Sequence, residues 1–120
     1  EMCIRDTEFA TLSEYGIDVK VIVLHNDTLG MIVQLQDFFY NHHYSQCTLN
    51  KRKNLPMLAE SLGVKGYAIE KQDDLIPVLK EALAHKGPAL VDIRISPEER
   101  VYPTVPGGKA LSDMILGGDA

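Results

Sequence analysis

The sequence has few cysteines and no long apolar run. Its two cysteines, Cys3 and Cys47, provide neither a disulfide framework nor the close spacing of metal ligands. No apolar stretch approaches the ~18 residues that a membrane-spanning helix needs, and no signal-peptide pattern opens the chain. These absences argue against a disulfide-rich secreted domain and a membrane protein. They predict a soluble protein of the reducing cytoplasm.

Positive charge is also scarce. Twelve Lys and Arg residues against seventeen Asp and Glu residues give a net charge of −5, and the one basic run, Lys51-Arg52-Lys53, is typical of a solvated turn. Because nucleic-acid-binding domains usually carry a basic face, we do not expect nucleic acid as a partner. With 45% hydrophobic and 24% charged residues, the 120-residue chain has the composition and length of one globular domain.

The first six residues differ in character from the rest. The chain opens on Glu1 instead of methionine, and Glu1–Asp6, "EMCIRD", shows no cap or apolar period that continues into the next segment. One reading frame of a common transposon adapter used in sequencing libraries encodes the same six residues. We therefore expect residues 1–6 to be a non-native scar, which would make the chain the end of a longer protein. A natural N-terminus is the alternative.

Helix and strand patterns alternate from Thr7 onward. We predict helices at residues 7–15, 29–40 and 54–62 and from Asp73 or Asp74 to about 85, and strands at residues 19–24, 67–70 and 89–95. Val19–Leu24 is nearly all apolar, which is typical of a strand covered on both faces. The alternation predicts an α/β fold, with a parallel sheet and helices on both faces, over residues 7–97. Residues 98–120, rich in Pro and Gly, form a C-terminal arm.

Short polar residues, His25-Asn26-Asp27-Thr28, stand where the first strand gives way to a helix. Ligands of open α/β sheets bind outside the carboxyl ends of the strands, and a helix N-terminus there favours a phosphate. The amide oxygen of Asn26 and the carbonyls of the turn are hard donors that suit Mg²⁺, and Gly30 permits a close approach. The pattern predicts a Mg²⁺–diphosphate site. Asn-Asp-Thr is equally typical of an ordinary turn and helix cap.

Four stretches carry a family resemblance: "FATLSEYGIDVKVIVLHNDTLGMIVQLQDFFY", "LAESLGVKGY", "GPALVDIRI" and "VYPTVPGGKALSDMI". From about Thr7 onward the chain resembles the C-terminal, diphosphate-binding domain of thiamine-diphosphate enzymes. Within that group it is most similar to the catalytic subunit of acetolactate synthase (acetohydroxyacid synthase). The "LGM" after the turn and the "VYP…G" arm favour this family over pyruvate decarboxylases.

The resemblance implies a divided metal site. In the family, the Asp of a Gly-Asp-Gly triplet, the second Asn of a later pair and a backbone carbonyl two residues beyond it bind Mg²⁺. Asn26 matches that Asn, and Thr28 matches the carbonyl. At the family's spacing the triplet would precede Glu1, outside this chain.

The resemblance also assigns roles around the helix start. Leu29, Gly30 and Met31 match residues beside the cofactor, and Met31 is expected against its rings or, alternatively, as a flexible core residue. Leu35 falls where the family commonly has Trp, at a position linked to the choice of second substrate; it is otherwise a core residue. His25, in place of the first Asn, is expected to be buried and satisfied. We expect no catalytic acid or base in this chain.

For the complete protein, the resemblance implies condensation of two pyruvates, or of pyruvate and 2-oxobutyrate, with loss of CO₂, in branched-chain amino-acid biosynthesis. It implies thiamine diphosphate and Mg²⁺ as cofactors, with FAD for the full-length protein only. It further implies a homodimer or larger assembly with the active site at the subunit interface, a regulatory small subunit as a further partner, and an arm that acts as a lid. We expect the chain alone to be inactive. Another thiamine-diphosphate decarboxylase or carboligase, a non-catalytic remnant domain and a disordered arm are the alternatives.

Overall fold

The computed structural model describes residues 7–49 and 53–117. The helices and strands, in chain order, are α1 (Thr7–Glu14), β1 (Lys20–His25), α2 (Gly30–Phe39), α3 (Leu55–Ser61), β2 (Lys65–Ile69), α4 (Leu75–Ala84) and β3 (Ala89–Arg94). Short 3₁₀ turns occupy Gln72–Asp74 and Leu111–Asp113. The expected scar and two residues of the basic run, Lys51 and Arg52, lie outside the described part. None of the described helices is long and apolar enough to cross a membrane.

The three strands form one parallel sheet in the order β1-β3-β2. Val21 of β1 is paired with Leu90 of the central strand, and Tyr67 of β2 is paired with Val91. Parallel neighbours require crossover connections, which the helices between the strands supply. The predicted α/β fold is confirmed.

Hydrophobic clusters cover the two faces of this sheet. On one face, α1 and α3 pack against the strands through a buried cluster of Phe9, Val21, Ala59, Val64 and Leu90. On the other face, α4 packs through Ala82 against Ile69 and Val91. Because Leu90 and Val91 are consecutive, they point to opposite faces, and β3 is buried on both sides. The predicted helices on both faces are therefore present.

The prediction that Val19–Leu24 is covered on both faces was wrong. Val21 is buried, but Ile22 is 44% exposed and Leu24 is 64% exposed. These two side chains lie on the face of the sheet that α4 covers, and α4 contacts β2 and β3. Within the described residues, the second face of β1 thus remains open.

The helix starts differ in how well the sequence predicts them. Asn54 caps α3 as predicted, since its Oδ1 accepts a hydrogen bond of 2.9 Å from the backbone N–H of Met57. The predicted start at Asp73 or Asp74 was displaced, because a 3₁₀ turn there leads into a helix that begins at Leu75. Pro77 is then the third helical residue, where the missing N–H costs little.

The described part of the arm, residues 98–117, packs against α2. The side chain of Gln34 exchanges two hydrogen bonds with the backbone of Val101, of 3.0 and 3.1 Å. The rings of Phe38 and Tyr102 lie 6.0 Å apart, centre to centre. These hydrogen bonds and this ring contact fix the start of the arm along one side of α2.

Candidate metal and diphosphate site

The loop between β1 and α2 has a shape fixed by local hydrogen bonds. Asp27 adopts a left-handed backbone conformation, with φ of 55°. The Oδ1 atom of Asn26 accepts a hydrogen bond of 3.2 Å from the N–H of Thr28. The Leu49 N–H donates to the carbonyl of Asp27 at 2.9 Å, and the Leu29 N–H donates to that of Cys47 at 2.8 Å. The loop is therefore pinned to the backbone of residues 47–49.

The start of α2 is open to an anion. The N-cap residue, Leu29, makes no side-chain capping hydrogen bond, and the first turn of the helix carries no acidic residue. The first N–H groups of a helix lack acceptors within the helix and carry a partial positive charge. A Cβ atom at Gly30 would lie 3.2 Å from Nδ2 of Asn26, tighter than an ordinary contact. Glycine at this position leaves room for the Asn26 amide beside the helix start.

The residues of this loop fit a Mg²⁺–diphosphate group. Asn26 offers an amide oxygen and Thr28 a backbone carbonyl, both hard donors suited to Mg²⁺. The Oγ1 atom of Thr28 is buried without a hydrogen-bond partner among residues 7–49 and 53–117, although buried hydroxyl groups normally have one. No group of three or more His, Cys, Asp or Glu side chains within residues 7–49 and 53–117 is placed to hold a metal. The loop would thus supply part of a coordination shell for Mg²⁺, and the diphosphate and water would supply more.

Met31 and Leu35 are not core residues in this chain. Met31 is 80% exposed at the start of α2, and Leu35 is 43% exposed one turn further along. Leu35 lines an open cleft with other residues of α2 and the following loop: Ile32, Gln36, Tyr40, His43 and Ser45. The alternative of a core position is therefore wrong for both residues. Their roles towards cofactor and substrate stay predictions.

The His25 side chain is mostly buried, with 12% exposed, and has a partner on each ring nitrogen, so the expected satisfied histidine is present. Its Nδ1 atom lies 3.0 Å from Oδ1 of Asp92, and its Nε2 atom lies 3.0 Å from Oδ1 of Asp27. The second oxygen of Asp27 accepts a hydrogen bond of 2.9 Å from Nη1 of Arg94. An imidazole donates to both carboxylates only when both of its nitrogens carry protons. Acidic and basic side chains thus alternate in the order Asp92, His25, Asp27, Arg94 across the ends of β1 and β3.

The sequence alone does not show that these four side chains form one group. Asp92 and Arg94 stand out because they interrupt the apolar run of β3, but the sequence gives no partner for either. Each lies 67 residues from the side chain that it contacts. The parallel register joins them, since Val23 is paired with Asp92 and His25 is paired with Arg94.

A second polar cluster lies at the far end of α2, around Asp37. Its carboxylate accepts hydrogen bonds from the Tyr44 hydroxyl at 2.5 Å and from Nε of Arg100, and Nδ1 of His42 lies 3.1 Å away. Partial burial raises the pKa of Asp37, but the hydrogen bonds from Tyr44, Arg100 and His42 outweigh it and lower the pKa below its usual value. The same contact with Asp37 raises the pKa of Tyr44.

His42 and His43 contact different partners at the end of α2. The Nδ1 atom of His43 lies 2.9 Å from the backbone carbonyl of Tyr40, whereas Nδ1 of His42 lies 3.1 Å from Oδ1 of Asp37. Each ring therefore makes its own contact in this segment.

Comparison with known proteins places this fold and loop in one family. Residues 2–93 match the family described as "Thiamine pyrophosphate enzyme, C-terminal TPP binding domain". The chain is 43% identical over 109 residues to the mitochondrial acetolactate synthase of Schizosaccharomyces pombe, covering 91% of this chain and 16% of that protein. It is 36% identical over 108 residues to the large subunit of acetolactate synthase isozyme 1 of Escherichia coli, covering 90% of this chain and 19% of that protein. The chain thus spans less than a fifth of the length of these relatives.

A solved structure supports the same relationship. The thiamine diphosphate-dependent 4-hydroxybenzoylformate decarboxylase of Rhodococcus jostii RHA1 superposes on 76% of this chain, and on 17% of its own, with a TM-score of 0.68 and 26% sequence identity. The similarity in three dimensions therefore extends beyond acetolactate synthases.

Proposed function

The chain belongs to the thiamine pyrophosphate enzyme family, through its C-terminal TPP-binding domain, and we propose that it is the diphosphate-binding segment of an acetolactate synthase. One structural observation carries the proposal. Asn26 and Thr28 lie at the carboxyl end of β1, directly before an α2 N-terminus whose N-cap residue, Leu29, makes no side-chain capping hydrogen bond. That arrangement suits a metal-bound diphosphate.

Each part of the loop would have its own task. The Asn26 amide oxygen and the Thr28 carbonyl would hold Mg²⁺, and the first N–H groups of α2 would bind the diphosphate. Leu29, Gly30 and Met31 would lie beside the cofactor, with Met31 as an exposed apolar contact. Bound thiamine diphosphate supplies an electron sink for decarboxylation and carbon–carbon bond formation. No residue of this chain is assigned as a catalytic acid or base.

The proposed reaction joins two pyruvates, or pyruvate and 2-oxobutyrate, and releases CO₂, as a step in branched-chain amino-acid biosynthesis. The acetolactate synthases with which the chain shares 36–43% identity support it. Leu35, in its half-open cleft on α2, is proposed to influence the choice of second substrate. The arm would exclude water from the site as a lid, because it packs along the same helix.

A second candidate is another thiamine-diphosphate decarboxylase or carboligase. The similarity to a 4-hydroxybenzoylformate decarboxylase and the Leu at position 35 both favour it. Such an enzyme would share the cofactor loop and differ in the side chains that line the cleft.

The remaining assignments concern the complete protein. We propose a homodimer or larger assembly with its active site between subunits, FAD in the full-length protein and association with a regulatory small subunit. A cytoplasmic location also stays a prediction, because some relatives, including that of Schizosaccharomyces pombe, are named as mitochondrial.

An assay of products separates these candidates. The complete protein that carries this chain is incubated with pyruvate, Mg²⁺ and thiamine diphosphate, with and without 2-oxobutyrate, and the products are identified by mass spectrometry. Acetolactate, or the mixed product, is expected. Free aldehyde from a different 2-oxo acid would favour the second candidate, and no turnover of any 2-oxo acid would indicate a non-catalytic remnant. The 120-residue chain alone is expected to give no product.

A further inference from the structure

A chain of side-chain contacts, Asp92–His25–Asp27–Arg94, links the core of the sheet to the cofactor loop. Asp92 lies at the inner end of this chain of contacts. It is 3% exposed and is the one buried charged residue of the described part. The side chains of His25, Arg94 and Asp27 are 12%, 20% and 28% exposed, so the chain of contacts runs outward to the loop. Ion pairs shielded from water are screened less than surface pairs. Loss of one member leaves a partly buried charge without its partner.

Asp27 is the member through which this group acts on the loop. It lies between Asn26 and Thr28, the two proposed Mg²⁺ ligands, and has a φ of 55°, which non-glycine residues rarely adopt. Both oxygens of its carboxylate are held, one by Nε2 of His25 and the other by Nη1 of Arg94. A side chain fixed at both oxygens restricts the rotation of the peptide units on either side. The unit after Asp27 carries the Thr28 N–H, which donates to Oδ1 of Asn26, and it leads directly into Thr28, whose carbonyl is the second proposed ligand.

We propose that Asp92 and Arg94 are positioning residues for the metal and diphosphate site, acting through His25 and Asp27 on Asn26 and Thr28. The inference rests on the proposed function, because it assumes that this loop binds Mg²⁺ and diphosphate. Neither Asp92 nor Arg94 is assigned a contact with the ligand. Both belong to β3, the most buried of the three strands, so the central strand of the sheet sets the geometry of the loop.

The test compares Arg94→Gln with a matched control, Lys20→Gln, in the complete protein. Lys20 is a similarly buried cation at the opposite end of β1, where its Nζ donates to the carbonyl of Gly87 at 2.8 Å. Two properties are measured: the Kd for thiamine diphosphate in the presence of Mg²⁺, by calorimetry, and the amide hydrogen exchange of Leu49 without cofactor. The Leu49 N–H donates to the carbonyl of Asp27 and reports on the loop itself.

Arg94→Gln is expected to weaken binding roughly 10- to 100-fold, as is usual when a residue that orients metal ligands is lost, and to speed exchange at Leu49. Lys20→Gln is expected to change neither the Kd nor the exchange rate of Leu49 by more than about twofold, because Lys20 lies at the other end of β1 and shares no partner with the loop in the described part of the chain. Asp27→Asn combined with Arg94→Gln is expected to cost no more binding than one substitution alone. Asp92→Asn provides a second variant, at the buried end of the group.

Two results overturn the inference in different ways. If Arg94→Gln and Asp27→Asn lower thermal stability but leave Kd and Leu49 exchange at parental values, the group is a structural ion pair only. If the parent protein binds no Mg²⁺ and thiamine diphosphate, the proposed function fails. Faster Leu49 exchange in Arg94→Gln would then still show that β3 positions the loop, with the ligand wrongly assigned.

Discussion

Asp37 in α2 and Arg100 in the arm form an ion pair, with Nε of Arg100 donating to Oδ2 of Asp37. The two side chains are only 10% and 14% exposed. Arg100 also donates from Nη1 to the carbonyl of Pro97 at 2.9 Å, which fixes the turn that leads into the arm. The guanidinium of Arg100 therefore connects the segment that follows β3, the arm and α2.

Substitution of Arg100 is expected to release the arm. Arg100→Gln removes a hydrogen bond between charged groups, worth about 1.5–3 kcal/mol. Because Gln34 and Tyr102 still contact their partners, we expect local loosening and a folded sheet. Amide hydrogen exchange measures this: rates at Val101 should rise while those at Val91 stay at parental values. Equal protection of Val101 in both proteins would show that the ion pair does not hold the arm.

Protonation of Asp37 is expected to have a similar effect. A carboxyl group whose pKa is lowered on folding contributes stability above its unfolded pKa, about 3.9, and this stability is lost as the pH falls through the lowered folded pKa. The arm should thus stay attached at neutral pH and loosen only below about pH 4. The NMR shift of the Val101 N–H, followed during acid titration, measures the change. Asp37→Asn should abolish this step, and a step that persists in the variant would assign it to another group.

Gly30→Ala is expected to weaken cofactor binding without lowering the stability of the cofactor-free protein. Alanine favours a helix over glycine by up to about 1 kcal/mol, so the cofactor-free protein should be as stable as the parent or slightly more so. The new Cβ would lie 3.2 Å from Nδ2 of Asn26 and should displace that amide. We therefore expect weaker binding of Mg²⁺ and thiamine diphosphate, measured by calorimetry beside a melting curve without cofactor. Unchanged affinity would mean that the Asn26 side chain is not used.

Thr28→Val tests the buried Thr28 hydroxyl, which has no hydrogen-bond partner in the described part of the chain. Valine has nearly the same shape, and removal of an unsatisfied buried polar group should raise stability without cofactor by about 1 kcal/mol. If the hydroxyl bonds to the bound group, affinity for Mg²⁺ and thiamine diphosphate falls in the same variant. Thr28→Ser, which keeps the hydroxyl, should retain the affinity. Lower stability of Thr28→Val without cofactor would show that the hydroxyl already has a partner in the free protein.

Local patterns predict the local features of this structure. The Asn54 cap, the apolar β3 and the polar loop after β1 each depend on residues within a few positions of one another. The sequence places the loop at a strand end, and the structure agrees. The open second face of β1 was missed because it depends on where α4 packs, and α4 belongs to a distant part of the chain.

Long-range pairing accounts for what the sequence did not predict around the site. His25 was expected to be satisfied, but its partner Asp92 could be found only from the register of β1 against β3. Likewise, the left-handed backbone of Asp27 depends on Arg94 and on the pairing with residues 47–49. Such contacts leave no periodic signal, and the polar interruptions in β3 are the one visible trace.

Thermal stabilisation by cofactor tests the central claim, that the loop at Asn26–Thr28 binds Mg²⁺ and a diphosphate. Melting curves of the complete protein are recorded with thiamine diphosphate in the presence and absence of Mg²⁺, for the parent, Asn26→Ala and Asn26→Asp. A ligand at 100 times its Kd stabilises the folded state by about 2.7 kcal/mol. We expect a Mg²⁺-dependent rise in Tm for the parent and for Asn26→Asp, which keeps an oxygen ligand, and none for Asn26→Ala. An equal rise in all three proteins, or none in the parent, would contradict the claim.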